Sequence, residues 1–254
     1  MYSSHNITVV IPTFNEELFI AKTISSIPDF VDFIIVVDDA SKDSSLEVIS
    51  AAQSSKLIVI KHQKNLGVGA ATISGYRQAL LLATDIVVVM DGDGQMDAKD
   101  LPKLLDQVIT LKHHYVKGNR FLDSSIKTMP KFRYLGNKIF SNLMRYALGL
   151  PFIIDTQCGY TAITIEAIKQ LDLDRLYPRY GFLNSLLFQL VARNLRISTV
   201  AVRTVYGEEK SDINPFITVP TILYIILYGY LSRIFGNFLT KPTLIAINYN
   251  QTNK

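Results

Sequence analysis

Residues 86–95 read Ile-Val-Val-Val-Met-Asp-Gly-Asp-Gly-Gln. The first five are apolar with no alternation, as in a strand covered on both faces. Two carboxylates follow at once, Asp91 and Asp93, each trailed by a glycine. In open parallel α/β sheets, ligands bind beyond the carboxyl ends of the strands, so acidic residues at this point face the edge where chemistry is expected. Upstream, residues 7–11 (ITVVI), 33–37 (FIIVV) and 57–60 (LIVI) repeat the same apolar pattern. Helical spacing occupies 17–27, 44–52, 69–83 and 100–111, between and after these runs. The β-α-β-α order predicts an α/β fold with a mainly parallel sheet flanked by helices.

The other strand ends also carry polar groups. Pro12-Thr13-Phe14-Asn15-Glu16-Glu17 follows the first run and Asp38-Asp39-Ala40-Ser41 the second. An Asp-Gly-Asp turn can aim both carboxylates at a hard divalent cation, Mg²⁺ or Mn²⁺, with Gln95 adding an amide oxygen and substrate phosphates completing the shell. Asp and Gly are also plain turn formers, and it is the position at the sheet edge that favours a cation. A carboxylate at the second strand end commonly binds a ribose hydroxyl, although Asp39 can equally cap a helix. The stretch 65–69 (NLGVG) can approach phosphate or sugar, or simply open a helix. No G-x-G-x-x-G follows the first strand and no G-x-x-x-x-G-K-[ST] occurs, which excludes the dinucleotide and P-loop classes.

The chain has 254 residues, a net charge of +4, 48% hydrophobic residues and one cysteine, Cys158. This composition excludes disordered, collagen-like and disulfide-scaffold proteins. Charge is segregated. Residues 1–116 carry 9 basic and 14 acidic groups, residues 117–145 carry 7 and 1, and residues 213–254 carry 3 and 0. The basic middle suits anionic headgroups or a phosphorylated acceptor; nucleic acid is not expected, because no recognition motif accompanies it. Residues 213–232 form 20 consecutive uncharged positions, about 30 Å as a helix and close to one bilayer core. Pro215 and Pro220 interrupt its start and Gly229 weakens it, so interfacial attachment is favoured over a single span or an oligomer contact. The N-terminus lacks the basic flank of a signal peptide.

Five ordered motifs carry a resemblance: residues 10–17 (VIPTFNEE), 36–43 (VVDDASKD), 65–71, 91–95 (DGDGQ) and 155–160 (DTQCGY). Together they resemble a family 2 glycosyltransferase, and within it the dolichyl-phosphate mannose synthase-like branch that makes polyprenyl-phosphate sugars. The resemblance spans roughly 6–212. It implies a GT-A fold, with a catalytic domain over 1–212 and an apolar segment over 213–254, on the cytoplasmic face of a membrane. The implied reaction is inverting, metal-dependent transfer from a UDP- or GDP-sugar to a polyprenyl phosphate. A glycan acceptor and an inactive nucleotide-sugar-binding scaffold are the alternatives.

By the same resemblance, Pro12, Asn15, Glu16 and Asp38 or Asp39 lie at the donor nucleotide, and Asp91, Asp93 and Gln95 at the metal and diphosphate. Arg120 and Arg133 are placed for the acceptor phosphate, Arg203 for phosphate charge at the donor, and Asp155 on the acceptor side as base or orienting group. Relatives often continue the 180–184 stretch (YGFLN) with Asp, where this chain has Ser185.

Overall fold

The computed structural model describes residues 1–52, 54–205 and 215–235. Seven strands form one sheet: β1 (Ile7–Thr13), β2 (Phe33–Asp38), β3 (Leu57–Lys61), β4 (Ile86–Val89), β5 (Tyr115–Asn119), β6 (Thr161–Thr164) and β7 (Ile197–Ala201). Their order is β3-β2-β1-β4-β6-β5-β7. All neighbours pair in parallel except β6, which runs antiparallel to both β4 and β5. The expected mainly parallel sheet is therefore present, with one reversed strand inserted beside β4.

The helices are α1 (Ile20–Ser26), α2 (Ser45–Ala51), α3 (Val68–Ala79), α4 (Leu101–Ile109), α5 (Lys131–Leu148), α6 (Ile165–Gln170), α7 (Phe182–Ala192) and α8 (Pro215–Phe235). Strand residues alternate between two cores. Ile7, Val9, Ile34, Val36, Ile86 and Val88 face α1, α2 and α4, while Val10, Ile35, Val37, Val87 and Val89 face α3 and α5–α8. This two-sided burial explains the unbroken apolar runs of β1, β2 and β4, since each buried Val or Ile contributes about 1.5–3 kcal/mol on either face; β3, expected to be covered on both faces as well, is instead an edge strand of half-buried and exposed residues. At Gly75 of α3, an added Cβ would come within 2.2 Å of a Val10 methyl, so the glycine sets how closely this helix lies on the sheet.

The apolar C-terminal helix is continuous through Pro220 rather than interrupted by it. Thr221 Oγ1 donates to the Ile217 carbonyl at 2.8 Å inside that turn. Gly229 is a packing seat: a Cβ there would come within 2.4 Å of the Phe188 ring on α7. Ile222 and Ile226 join the core, and Tyr230 packs against it. The helix is long and apolar enough to cross a membrane, with a third of its most apolar stretch buried against the protein. The rest of the apolar segment, residues 236–254, lies outside the described residues.

Candidate active site at the strand ends

β1 extends two residues further than the apolar run suggested and includes Pro12, whose carbonyl accepts the Gly92 N–H at 3.3 Å. Asn15, at the start of the next loop, has φ +57°. Its N–H donates to Ser41 Oγ at 3.0 Å, and its Oδ1 accepts from the Lys42 N–H at 2.8 Å. The Glu16 N–H donates to Ser45 Oγ at 2.7 Å, and Glu17 Oε2 accepts from the Ser44 N–H at 2.9 Å. These bonds zip the loops after β1 and β2 together into one wall of the site.

Asp38 and Asp39 are both buried but differ in what they hold. Asp39 Oδ1 accepts from the Leu66 N–H at 2.9 Å and lies 2.6 Å from His62 Nδ1; its Oδ2 accepts from the Gly67 N–H at 2.7 Å. His62 Nε2 in turn meets Ser74 Oγ at 2.9 Å. Asp39 thus clamps the 62–67 turn onto α3 rather than capping a helix. Asp38 Oδ1 accepts from the Ser41 N–H at 3.3 Å, but Oδ2 has no partner among the described residues. A buried carboxylate oxygen left without a donor is costly unless a ligand supplies one. The 65–69 stretch is a helix entry: Gly67 has φ +103°, and the Pro178 carbonyl would lie 2.7 Å from a Cβ there. Arg179 fixes the same turn through Asn65 Oδ1 and its carbonyl, both at 3.0 Å.

Asp91 and Asp93 emerge together past β4, with Gly94 at φ +72° making the turn and the Gln95 N–H donating to Asp93 Oδ1 at 2.9 Å. Burial and the neighbouring Asp93 charge push Asp91 up to about 7, against the pull of Arg120, Lys117 and Arg133. A buried Asp91 beside the charge of Asp93 forms a donor pair suited to a hard cation. Gln95 is buried beneath the turn. No group of three or more His, Cys, Asp or Glu side chains converges among the described residues. A cation held here would therefore take its remaining ligands from Gln95, water or substrate phosphate. The 158–160 backbone closes the site, since a Cβ on Gly159 would lie 2.7 Å from Asp91 Oδ2.

Asp155 and Arg120, 35 residues apart in sequence, form a buried bidentate pair. Arg120 Nε and backbone N–H donate to Oδ2 at 2.7 and 3.1 Å, and an Arg120 terminal nitrogen donates to Oδ1 at 2.9 Å. Burial pulls the Asp155 carboxyl upward, but the Arg120 guanidinium outweighs it and holds the group below the usual carboxylate range. Arg133, in the first turn of α5, brings its charge to bear on Asp91. Arg203 is exposed; its backbone N–H donates to Asp100 Oδ2 at 2.6 Å, and its charge is felt at Asp123. The Met96–Thr204 bridge sets Arg203 beside the 95–97 strip that follows the Asp91–Asp93 turn.

Sequence reasoning placed Lys117 in the basic middle that suits an anionic partner, yet its side chain is 0% exposed and its ammonium donates to the Cys158 carbonyl. Burial lowers it to about 8, against the pull of Cys158 and Asp155. Its place in the Tyr-Val-Lys-Gly-Asn strand between two other strands was the available signal. His62 was also missed, and no local pattern marks it. Ser185, where relatives often have Asp, accepts the Tyr177 N–H at 3.0 Å and donates to the Phe182 carbonyl at 2.7 Å, a helix-entry role.

The chain matches the family model described as glycosyl transferase family 2 over residues 8–170. A UDP-N-acetylglucosamine–dolichyl-phosphate N-acetylglucosaminyltransferase of Methanococcus voltae is 32% identical, the match covering 80% of this chain and 86% of that one. An undecaprenyl-phosphate mannosyltransferase of Micrococcus luteus is 28% identical, over 89% and 95% of the two chains. Among solved structures, glucosyl-3-phosphoglycerate synthase of Mycobacterium tuberculosis with Mn²⁺, UDP-glucose and phosphoglyceric acid superposes with a TM-score of 0.67 at 23% identity, over 90% of this chain and 80% of that one. That likeness establishes the GT-A fold. With the matched model running from β1 through α6 and so enclosing both the Asp91–Asp93 turn and the Arg120–Asp155 pair, the chain belongs to glycosyltransferase family 2.

Proposed function

We propose that this glycosyltransferase moves a sugar from a UDP- or GDP-sugar to a polyprenyl phosphate at the cytoplasmic face of a membrane, with inversion at the anomeric carbon. The observation that carries the site reading is the Asp91–Asp93 pair, with Asp91 raised by burial and by the Asp93 charge, within the electrostatic reach of Arg120, Lys117 and Arg133. The acceptor class is supported by the lipid-phosphate relatives and by an apolar α8 beside the basic middle.

Asp38 Oδ2 receives an N–H or O–H from the donor nucleoside, while Pro12, Asn15, Glu16 and the clamp at Asp39 shape that pocket. Asp91 and Asp93, with Gln95, hold Mg²⁺ or Mn²⁺. A divalent cation bound there supplies Lewis-acid stabilisation of the departing nucleoside diphosphate. Arg120 and Arg133 bind the acceptor phosphate, and Arg203 adds positive charge near the donor. A phosphate monoester is largely dianionic at neutral pH, its second pKa being about 6, so its oxygen attacks without a strong base. Asp155 is held anionic by Arg120, which fits it to orienting that guanidinium more than to abstracting a proton.

The test uses radiolabelled UDP-glucose, UDP-N-acetylglucosamine and GDP-mannose, each with undecaprenyl or dolichyl phosphate and Mn²⁺ or Mg²⁺. A lipid-linked labelled sugar is the expected product. Transfer to a glycan without lipid phosphate would overturn the acceptor, and nucleotide-sugar binding without turnover would overturn the activity.

A further inference from the structure

α5 has a face that the core does not use. Ser141, Met144, Ala147 and Leu148 turn inward. Phe132, Leu135, Ile139, Leu143 and Tyr146 are 83%, 57%, 50%, 40% and 76% exposed, and their spacing of three or four residues makes a single outward apolar stripe. From Ser124 to Ile154 the chain has five Lys and Arg and no carboxylate. An amphipathic helix with an apolar face and only positive charge around it is built for an anionic interface. α8 carries a matching exposed set, Leu223, Leu227, Leu231 and Ile234.

An open groove of about 740 Å³ lies where the two helices meet, lined by Asn142, Arg145, Tyr146, Tyr230 and Arg233 among others. No carboxylate among the described residues lines it. The Tyr146 and Tyr230 rings pack at 5.8 Å and form one apolar wall. Arg145 donates to Asn142 Oδ1 at 3.2 Å, and its Nε–H has no acceptor among the described residues. Arg233 donates to the Ala147 carbonyl at 2.9 Å, and its guanidinium sits over Gly149, where a Cβ would come within 2.5 Å. Two guanidiniums with no acidic neighbour among the described residues lining the groove, set between two apolar stripes, fit a phosphate borne on an apolar body.

We propose that this groove is a headgroup site for an anionic phospholipid, and that it docks the α5–α8 face on an anionic bilayer. Arg145 lies twelve residues along α5 from Arg133, about 18 Å at helical rise, so the groove is separate from the transfer site. It anchors the enzyme at the far end of the helix whose first turn reaches the active site, holding that edge at the lipid surface.

The test is sedimentation of the full chain with phosphatidylcholine vesicles and with vesicles of three parts phosphatidylcholine to one part phosphatidylglycerol, without donor or acceptor. Wild type should prefer the anionic vesicles. Arg145→Gln with Arg233→Gln should lower partitioning to the anionic vesicles about thirty-fold and leave partitioning to phosphatidylcholine unchanged, at about one basic residue's surface attraction each. Because Arg233 also binds the Ala147 carbonyl, Arg145→Gln alone, expected to lose about five-fold, decides the matter if the double variant unfolds. Leu135→Gln with Ile139→Gln should weaken binding to both vesicle types. No anionic preference in wild type, or an Arg145→Gln variant that partitions as wild type does, overturns the proposal. Vesicle binding is read without turnover, so its failure leaves the transfer reading standing, and failed transfer leaves the docking site standing.

Discussion

Replacing Arg120 with Met should be among the most damaging single changes at the site, and the reason is the group left behind. Asp155 is 0% exposed and accepts two side-chain bonds from Arg120, at 2.7 and 2.9 Å, plus the Arg120 backbone N–H at 3.1 Å. Breaking a buried pair by removing one partner costs about 3–5 kcal/mol, because the remaining charge is uncompensated. At about 2–4 °C per kcal/mol for a chain of this size, the melting midpoint should fall by about 6–20 °C. Arg120→Met combined with Asp155→Asn removes both charges and keeps an amide oxygen for the backbone N–H, so most of that loss should return. Transfer should not return, since the guanidinium is gone. Circular-dichroism melts of the wild type, both single variants and the double variant at pH 7 measure the coupling, and a sugar-transfer assay runs alongside.

The pH dependence gives a second reading of the same pair. Arg120 holds the Asp155 carboxyl below its ordinary value. The stability the pair adds is therefore fully present above the unfolded value of about 3.9 and lost as pH falls through the lower folded value. The gap between wild type and double variant should be flat from pH 5 to 8 and close below pH 4. A double variant as unstable as Arg120→Met alone, or a gap that widens on acidification, would refute the reasoning.

Two further outcomes separate roles within the site. Asp38→Asn should weaken nucleotide binding about ten-fold or more by calorimetry while leaving the melting midpoint nearly unchanged, because Asp38 Oδ2 has no partner among the described residues; Asp39→Ala should instead cost about 2–4 kcal/mol in urea unfolding, since two backbone N–H groups and His62 lose their acceptor. Gly159→Ala places a methyl 2.7 Å from Asp91 Oδ2, so Mn²⁺ binding followed by electron paramagnetic resonance should weaken at least ten-fold with the fold retained; unchanged Mn²⁺ affinity would remove Asp91 from the cation site.

The strands and the order of the motifs were legible in the sequence because both are local. A run such as Ile86-Val-Val-Val needs burial on both faces wherever it sits, and the residues after it must appear at the strand's carboxyl end. The reversed β6 was not legible: its short Thr-Ala-Ile-Thr run carries no direction, and only pairing with both β4 and β5 fixes it.

Side-chain partners were decided by tertiary structure alone. Asp38 and Asp39 are adjacent and chemically identical, yet one closes a turn from 27 residues away and the other keeps an oxygen without a partner. Lys117 looked like its neighbouring cations until two flanking strands removed it from water. Gly229 and Pro220 looked like defects in an apolar run, whereas packing against α7 makes the glycine a seat and the helix runs on through the proline. The sequence by itself determined the sheet, the acidic edge and the apolar end, which follow from periodicity and composition. Which carboxylate is satisfied by the turn it closes, which cation is buried and which helix faces stay open depend on groups brought together from distant parts of the chain, and only the folded structure supplies those.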